Sequence, residues 1–214
     1  MHRLLAFILR PVFYLGLRFM HWEPWERLRH GIAPPQFGAG SHHDFRWYFE
    51  GQSTVSVKDM AAICEWLADC EYVRDPDLFQ ERDFWQHPMT FEQLRKGDCE
   101  DHALWAWRKL TELGIPAEFY VGRWRTEKGR EPGFHAWVVC KHEGTEYLLE
   151  ATAATGAAIL RPLAEVRDEY IPHFAIDARF NSVAFGGYML YLKQEHANRN
   201  AKRSAKPPNV RPCD

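Results

Sequence analysis

The chain has 214 residues, of which 46% are hydrophobic and 26% charged, and its formal net charge at pH 7 is −2. This length fits one domain of fair size or one domain with appendages, and the composition is ordinary for a globular protein. The nearly balanced charge gives no reason to expect nucleic-acid binding. The five cysteines are odd in number and form no C-x-x-C pair, which argues against a zinc site and against a disulfide scaffold.

Residues 1–22 contain two short apolar runs, Leu4–Leu9 and Val12–Leu17, which Arg10-Pro11 separates. Neither run approaches the roughly 20 apolar residues of a membrane-spanning helix. A helix here would carry its arginines along one side, which is typical of a segment that lies on a membrane surface. A helix packed on the domain is an equally good interpretation, and an atypical export signal is a third. We expect a cytoplasmic protein, with membrane-surface contact through residues 1–22 as one alternative and export as another.

The composition divides the chain into three parts. Residues 1–40 are interpreted as an N-terminal amphipathic segment and linker, residues 41–194 as the folded domain, and residues 195–214 as a basic disordered tail. The run His42-His43-Asp44 is better explained as a polar loop than as a metal site, because adjacent residues point apart and no matching ligand pair accompanies them. We expect neither a metal nor a cofactor.

Two helices are predicted in the first half of the domain. Residues 56–72 carry a wide apolar stripe. The second helix runs from Asp98, a good N-cap, to Gly114, a natural C′ residue. Asp101 adds a capping-box-like pattern at its start. Cys99 is the first residue of this helix, on the side that carries apolar residues, so its thiol is expected to point toward the body of the protein.

The helix N-terminus favours the thiolate form of Cys99, which is the nucleophilic form. Three neighbouring carboxylates oppose this effect, those of Asp98, Glu100 and Asp101. The helix alone therefore cannot activate the thiol, and a cationic partner such as an imidazolium is needed.

After Gly114 the pattern changes from helix to strand. Three strands are predicted, at residues 117–124, 134–140 and 146–152, and the last two are joined by a hairpin signal at residues 141–145. Toward the C-terminus, residues 163–170 favour a helix. Residues 185–192 favour a strand that bends at its two glycines.

The hairpin brings His135 and Glu150 together in either of its natural registers. If Glu143-Gly144 forms the two-residue turn, Glu150 lies opposite Trp137, and His135 is one pair along on the same face. If the turn is centred between His142 and Glu143, His135 faces Glu150 directly. Side chains alternate with period two, so both registers place the imidazole and the carboxylate on one face, whereas a one-residue bulge would separate them.

Four sequence boxes resemble the transglutaminase-like cysteine peptidase superfamily. They are Gly97-Asp98-Cys99-Glu100-Asp101-x-Ala103, Leu113-Gly114-Ile115-Pro116-Ala117, His135-Ala136-Trp137-Val138 and Leu148-Leu149-Glu150-Ala151-Thr152. The resemblance covers roughly residues 85–152, with Trp85 and Pro88 similar to the upstream stretch of the family. It implies an α+β fold with a papain-like core, in which a helix that bears the cysteine packs on an antiparallel sheet that bears the histidine and an acid.

The same resemblance implies a catalytic triad. Cys99 would be the nucleophile, His135 the general base and then the general acid, and Glu150 the acid that orients the imidazole. The family usually has Asp where Glu150 stands, and the longer side chain can still reach the imidazole from a slightly different backbone position. Asp168 and Asp177 are more distant alternatives.

The implied function is that of a cysteine peptidase or amide hydrolase that acts on a protein or peptide through a thioester intermediate. Attack by an amine in place of water would make it a cross-linking acyl transferase (a transglutaminase). A protein of the same fold that binds peptide without turnover would be a noncatalytic interaction module. The candidate oxyanion donors are the backbone N–H of Cys99, the side chain of Gln93, six residues earlier, and the side chain of Trp85.

Overall fold

The computed structural model describes residue 16 and residues 19–28, 37–125, 133–153 and 156–204. In these ranges the α-helices are α1 Met60–Ala68, α2 Asp75–Leu78, α3 Pro88–Leu94, α4 Cys99–Glu112, α5 Gly156–Ile159, α6 Leu163–Val166 and α7 Gly186–Ser204. The strands are β1 Glu71–Tyr72, β2 Lys96–Gly97, β3 Ala117–Trp124, β4 Gly133–His142, β5 Thr145–Leu149, β6 Leu160–Pro162, β7 Tyr170–Asp177 and β8 Ser182–Ala184. Two 3₁₀ turns lie at Trp47–Phe49 and Arg167–Glu169.

A six-stranded sheet in the order β6-β5-β4-β3-β7-β8 forms the centre of the fold, and all its pairings are antiparallel. β1 and β2 form a separate parallel pair. Helix α4, which begins at Cys99, packs on β3 and β4. The predicted α+β fold, with a cysteine-bearing helix on an antiparallel sheet, is confirmed.

The β4–β5 hairpin adopts the first of the two predicted registers. Glu143 and Gly144 form the turn, with φ of +49° and +83°. Val138 pairs with Leu149, the last residue of β5. Glu150 comes next in the chain, so it lies opposite Trp137. Two positive φ values are what a tight type I′ hairpin turn requires, and glycine at the second position fits that need.

The sheet buries an apolar cluster on each face. Ala136, Val138 and Cys140 of β4 belong to the larger cluster, together with Trp105 and Trp107 of α4. The alternate residues Trp137 and Val139 belong to a second cluster on the opposite face, with the aromatic rings of Tyr120, Tyr170 and Phe185. The period of two along β4 therefore sends odd-numbered side chains, His135 among them, away from α4.

Helix α4 starts and ends where its sequence predicts. Asp98 is the N-cap, and Asp101 Oδ2 accepts the Asp98 backbone N–H at 3.3 Å. Gly114 follows the helix with φ of +73°, a conformation that glycine adopts without strain. Gly97 is needed for a different reason, since a Cβ there would lie 2.5 Å from Gln86 Nε2 and even nearer to Asp101 Oδ2.

Two predicted elements are wrong in detail. The first helix begins at Met60 rather than at residue 56, because Asp59 Oδ1 accepts the Ala62 N–H at 2.8 Å and caps it there. Residues 185–192 are not a strand, since α7 begins at Gly186. A Cβ on Gly186 would collide with the Glu23 carbonyl, and one on Gly187 with the Pro172 carbonyl. These glycines thus permit close packing of a helix and do not mark a bend.

Helix α7 also corrects the predicted disordered tail, since residues 195–204 are helical. An ion pair between Arg199 and Glu195 at 3.7 Å, four residues apart, supports this turn of the helix. Residues 205–214 lie outside the described residues, as does nearly all of the predicted amphipathic segment 1–22. Just after it, Trp25 Nε1 donates to the carbonyls of Arg167 and Tyr170. No helix in the described ranges has the length and apolar character to cross a membrane.

Candidate active site

Cys99 lies at the start of α4, beside the strand that carries His135. Its Sγ accepts a hydrogen bond from the backbone N–H of Ala136, the residue next to His135. The thiol itself donates to Glu100 Oε2 at 3.2 Å. Among the described residues, no hydrogen bond joins this thiol to the His135 ring.

The surroundings of Cys99 hold its thiol protonated. Burial raises the pKa of the Cys99 thiol well above its ordinary value, and the charges of Glu100 and Asp98 raise it further. The Ala136 N–H acts in the opposite direction. The expected opposition to the thiolate is thus confirmed for Glu100 and Asp98.

The structure brings His135 and Glu150 into direct contact. His135 Nε2 lies 2.8 Å from Glu150 Oε2, and the two side chains are only 8% and 7% exposed. Burial alone would raise the pKa of Glu150, but the His135 charge and hydrogen bonds from His135, Thr152 and Tyr170 hold it below its usual value. An ionised Glu150 accepts an N–H from Nε2, which leaves Nδ1 of the imidazole as the free basic nitrogen.

Two elements fix this pair. The β4–β5 register places both side chains on one face of the sheet, as either predicted register required. That face is the one opposite α4. On the carboxylate, Thr152 Oγ1 donates to Glu150 Oε1 at 2.6 Å, and Tyr170 Oη donates to Oε2 at 2.8 Å. The longer side chain of Glu150, relative to the usual Asp, therefore does not prevent contact with the imidazole. Its catalytic role stays a prediction.

A cleft of about 430 Å³ opens beside His135 and Ala136. Its lining side chains form two groups. One is aromatic, with Phe174 4.5 Å from Tyr188 and Phe134 5.6 Å from Tyr191 between ring centroids. The other is acidic and consists of Asp75, Asp83, Asp98 and Glu100. The cleft therefore offers both an apolar and an acidic surface.

The candidate oxyanion side chains are placed differently. Gln93 is exposed on α3, whose buried residues are Pro88, Phe91 and Glu92, so it does not line the cleft. Trp85 does line the cleft, but its Nε1 already donates to Asp83 Oδ1 at 3.0 Å. Because sequence offset alone put Gln93 forward, its exposure removes the reason to retain it. The backbone N–H of Cys99, at the open end of a helix, is the remaining candidate.

Asp168 and Asp177 are not partners of the imidazole. Asp177 instead accepts backbone N–H groups of Arg179 and Asn181 at 2.9 and 2.8 Å, and Asp168 lies in the 3₁₀ turn before β7. Glu150 occupies the place beside His135 that either would have needed.

Sequence reasoning missed an acidic cluster next to Cys99. Oxygens of Asp75, Asp83 and Glu100 lie within 4.8 Å of one another, and so do those of Asp75, Asp98 and Asp101. The sequence identifies Asp98 and Asp101 as helix-cap residues, and these two with Glu100 as carboxylates that oppose the thiolate, but it does not connect them with Asp75 or Asp83. The acidic character of segment 75–83 is the signal that could have suggested a cluster. This segment has no fixed spacing from α4 in the sequence, so only the fold brings its carboxylates to the start of that helix.

This cluster is buried and only partly satisfied. Asp75 is 1% exposed and Asp101 fully buried. Phe84 N–H donates to Asp75 Oδ2 at 2.6 Å, while Asp75 Oδ1 and Asp98 Oδ1 have no hydrogen-bond partner among the described residues. Burial raises the pKa of Asp75 to about 6, with the Phe84 N–H opposing and the Asp98 charge adding to the effect.

Carboxylates crowded in this way share protons or bind a cation, because like charges cannot all ionise without compensation. Calcium accepts six to eight oxygen ligands in flexible geometry, which suits a cluster of carboxylates. The donor set of Asp75, Asp83 and Glu100 therefore fits a hard divalent cation. Burial raises the pKa of Glu100 well above its usual value, and the nearby Asp98 and Asp101 carboxylates raise it further.

Residues 48–149, just under half of the chain, match the family model described as the transglutaminase-like superfamily. The matched segment contains Cys99 and His135 and ends one residue before Glu150. Comparison with curated proteins finds no match.

Solved structures with a similar fold include LapG of Legionella pneumophila. Its calcium-bound form is 18% identical, with 70% of this chain and 81% of that chain covered and a TM-score of 0.46. The EGTA-treated form is 18% identical, with 59% and 64% covered and a TM-score of 0.45, so this chain spans under two thirds of it. A proposed cysteine protease from Cytophaga hutchinsonii is 17% identical, with 66% and 46% covered and a TM-score of 0.38. Similarities at this level say nothing about activity.

Proposed function

We propose that this chain, whose residues 48–149 match the model of the transglutaminase-like superfamily, is a cysteine peptidase or amide hydrolase. The observation that carries the proposal is the His135–Glu150 pair, 2.8 Å apart and buried, beside the strand residue that binds the Cys99 thiol. An acid that orients an imidazole next to a thiol is the arrangement that activates a cysteine nucleophile. Its substrate is a protein or peptide segment held in the cleft.

The reaction begins with proton transfer. The thiol is protonated in the free protein, so attack requires that His135 Nδ1 takes the proton as substrate binds. Hydrogen bonds of this kind are often long in a free enzyme and tighten in the complex. The sulfur then forms a bond to the amide carbon, and the carbonyl oxygen becomes an oxyanion next to the Cys99 N–H.

His135 next gives its proton to the amide nitrogen, the C–N bond breaks, and the amine leaves. The remaining acyl group is a thioester on Cys99. A water molecule then attacks the thioester carbon while His135 accepts a water proton. The C–S bond breaks, the carboxylic acid leaves, and the proton returns to the thiolate. Glu150 stays ionised throughout and compensates the imidazolium charge.

The proposal is tested on the full chain with a mixture of peptides from digested cell proteins. We expect new peptide termini with the wild type and none with Cys99→Ala, read by mass spectrometry. Because aromatic rings line one part of the cleft, we expect bulky apolar residues to be enriched near the new termini. A set of termini identical in both samples would overturn the proposal.

A labelled primary amine in the same mixture separates hydrolysis from acyl transfer. Incorporation of the label into peptides, with no free acid product, would identify a transglutaminase. Retention of unchanged peptides by wild type and Cys99→Ala alike would identify an interaction module. We expect free acids and no labelled product.

We propose in addition that the acidic cluster binds calcium, through Asp75, Asp83 and Glu100. The orphaned, buried Oδ1 of Asp75 is the observation that favours it. A bound cation would neutralise the carboxylates and hold the segment around α2 against the start of α4. It would act on the fold around the thiol, with no step of the reaction on the metal itself.

Calcium is expected to raise the melting temperature of the wild type by several degrees. At about 100 times its Kd, calcium would stabilise the folded state by about 2.7 kcal/mol. Asp75→Asn removes one charged ligand and is expected to lose most of this gain, measured by calorimetry in calcium and in EDTA. Asp77→Asn is the matched control, since Asp77 is on the same helix with a side chain 60% exposed. Equal calcium shifts in all three proteins, or none in the wild type, would refute the site.

A further inference from the structure

Tyr170 contacts the carboxylate that orients the imidazole, although it lies outside the matched segment. It is the first residue of β7, and its hydroxyl donates to Glu150 Oε2 at 2.8 Å. This is the same oxygen that faces His135 Nε2, also at 2.8 Å. The phenol is 4% exposed, so water does not compete for this hydrogen bond.

An aromatic stack joins Tyr170 to the imidazole by a second route. The Trp124 ring lies nearly parallel to that of Tyr170, with centroids 5.8 Å apart and an angle of 10°. Its ring also stacks on His135, at 4.8 Å and 29°. Trp124 pairs with Tyr170 across β3 and β7, and Trp137 contacts the Tyr170 ring at 5.1 Å. Trp124 therefore links the Tyr170 ring to the face of the imidazole.

The backbone of Tyr170 is fixed as well. Trp25 Nε1 donates to the Tyr170 carbonyl at 3.1 Å and to that of Arg167 at 2.9 Å. Trp25 packs against the apolar cluster on this face of the sheet. Because the hydroxyl, the ring and the backbone of Tyr170 are all held in place, this residue is suited to fix the position of the Glu150 carboxylate.

We propose that Tyr170 is a positioning residue of the active site, which holds Glu150 and the His135 ring in the arrangement that serves Cys99. This inference rests on the proposed function. The hydroxyl fixes one carboxylate oxygen, while Thr152 Oγ1 fixes the other at 2.6 Å. The ring, through Trp124, fixes the plane of the imidazole. Tyr170 does not touch the substrate or the reacting atoms.

The hydroxyl also affects the charge of the carboxylate. Its hydrogen bond is one of the contacts that hold the pKa of Glu150 below its usual value. The other charged groups in range are His135 and His102 near Glu150, and Glu169 and Arg161 near Tyr170. Loss of the hydroxyl raises the pKa of Glu150, so Glu150 becomes protonated at a higher pH than in the wild type.

Tyr170→Phe tests the hydroxyl and keeps the ring. We expect kcat on a peptide cleaved by the wild type to fall about 10- to 100-fold, the ratio that one hydrogen bond to a charged group corresponds to. We expect KM to change less than about twofold, because substrate contacts remain. The acidic limb of the pH profile of kcat is expected to move to higher pH. Tyr170→Leu, which also removes the stack, should lower kcat further.

Tyr120→Phe is the matched control. Tyr120 is a buried tyrosine in the same apolar cluster, and its hydroxyl donates to Glu118 Oε2 at 2.7 Å, with no contact to the His135–Glu150 pair. It should leave kcat and the pH profile unchanged. A purely structural role for Tyr170 predicts equal effects of both variants on kcat at equal loss of melting temperature, and that outcome would overturn the inference.

A readout without turnover separates failure of this inference from failure of the proposed function. The ring N–H of His135 is observed by NMR in Cys99→Ala and assigned by its loss in His135→Gln. In Tyr170→Phe we expect this proton to exchange with water faster, and in Tyr120→Phe we expect no change. Unchanged exchange in Tyr170→Phe would refute the positioning role even if no substrate is cleaved. Faster exchange without cleavage by the wild type would instead refute the hydrolase function.

Discussion

Replacing Cys99 with alanine is expected to lower kcat/KM by at least about 10³-fold, because both halves of the proposed reaction pass through the bond between its sulfur and the acyl carbon. His135→Gln should lose a similar amount. Glu150→Gln should lose about 10²- to 10⁴-fold, since an amide cannot compensate the imidazolium charge. The measurement is steady-state cleavage of a peptide that the wild type cleaves.

The three residues are expected to act as a unit. The double variant Cys99→Ala/His135→Gln should be no less active than either single variant, because each alone already removes the thiol–imidazole pair. Cys70→Ala is the control, since this half-buried thiol follows α1 and donates to the Trp66 carbonyl of that helix at 3.4 Å. Additive losses, or a comparable loss in Cys70→Ala, would contradict a shared site.

The parts of the site that depend on sequence features within a single helix or hairpin could be predicted. The Asp98 cap, Cys99 at the first helical position and Gly114 after the helix are all local features of one segment. The β4–β5 hairpin has a tight turn at Glu143-Gly144, and a period of two then decides which residues share a face. This alternation places His135 and Glu150 on the same face, where they meet.

The contacts that depend on irregular segments could not be predicted. Asp75 reaches the start of α4 through residues 79–87, which form neither helix nor strand. Tyr170 reaches Glu150 across residues 151–169, whose described part, 151–153 and 156–169, contains only short elements. No sequence period connects residues across such segments. Hydrophobic pattern also misplaced residues 185–192, because Gly186 and Gly187 serve close packing against two carbonyl oxygens.

The face that His135 occupies follows from the same period, but its relation to the thiol does not. Odd-numbered residues of β4 point away from α4, so the imidazole does not lie between the helix and the sheet. The thiol meets this strand through the Ala136 backbone instead. The site is therefore formed where the helix N-terminus reaches the strand backbone, beyond the last β5 residue that pairs with β4.

Replacing Lys109 with methionine is expected to be the most destabilising single substitution among the charged residues of α4. Lys109 is fully buried, and its Nζ lies 3.3 Å from Glu92 Oε1, which is 1% exposed. It also donates to the Val55 carbonyl at 2.6 Å and to Glu112 Oε2 at 2.9 Å. Removal of one partner of a buried ion pair leaves an uncompensated charge, which costs about 3–5 kcal/mol.

The control for this variant is Lys96→Met. Lys96 forms an ion pair with Glu71 at 2.7 Å, but the two side chains are 48% and 61% exposed. Exposed pairs contribute little, so Lys96→Met should change the free energy of unfolding by less than about 1 kcal/mol. Both values are measured by urea denaturation at pH 7. A loss in Lys109→Met no greater than in Lys96→Met would contradict the assignment.

The residual charge on Glu92 is the cause of the expected loss, and two further measurements isolate it. Burial would raise the pKa of Glu92, but hydrogen bonds from Ser53, Thr54 and Trp105 and the Lys109 charge together lower it. A carboxyl whose pKa is lowered in the folded state stabilises the fold at a pH above its pKa in the unfolded chain. That contribution is lost as the pH falls through the pKa of the folded state. The difference between wild type and Lys109→Met should therefore shrink toward pH 4. The double variant Lys109→Met/Glu92→Gln removes both charges. It keeps an acceptor for Trp105 Nε1, which donates to Glu92 Oε1 at 3.0 Å in the wild type. It should therefore be more stable than Lys109→Met alone.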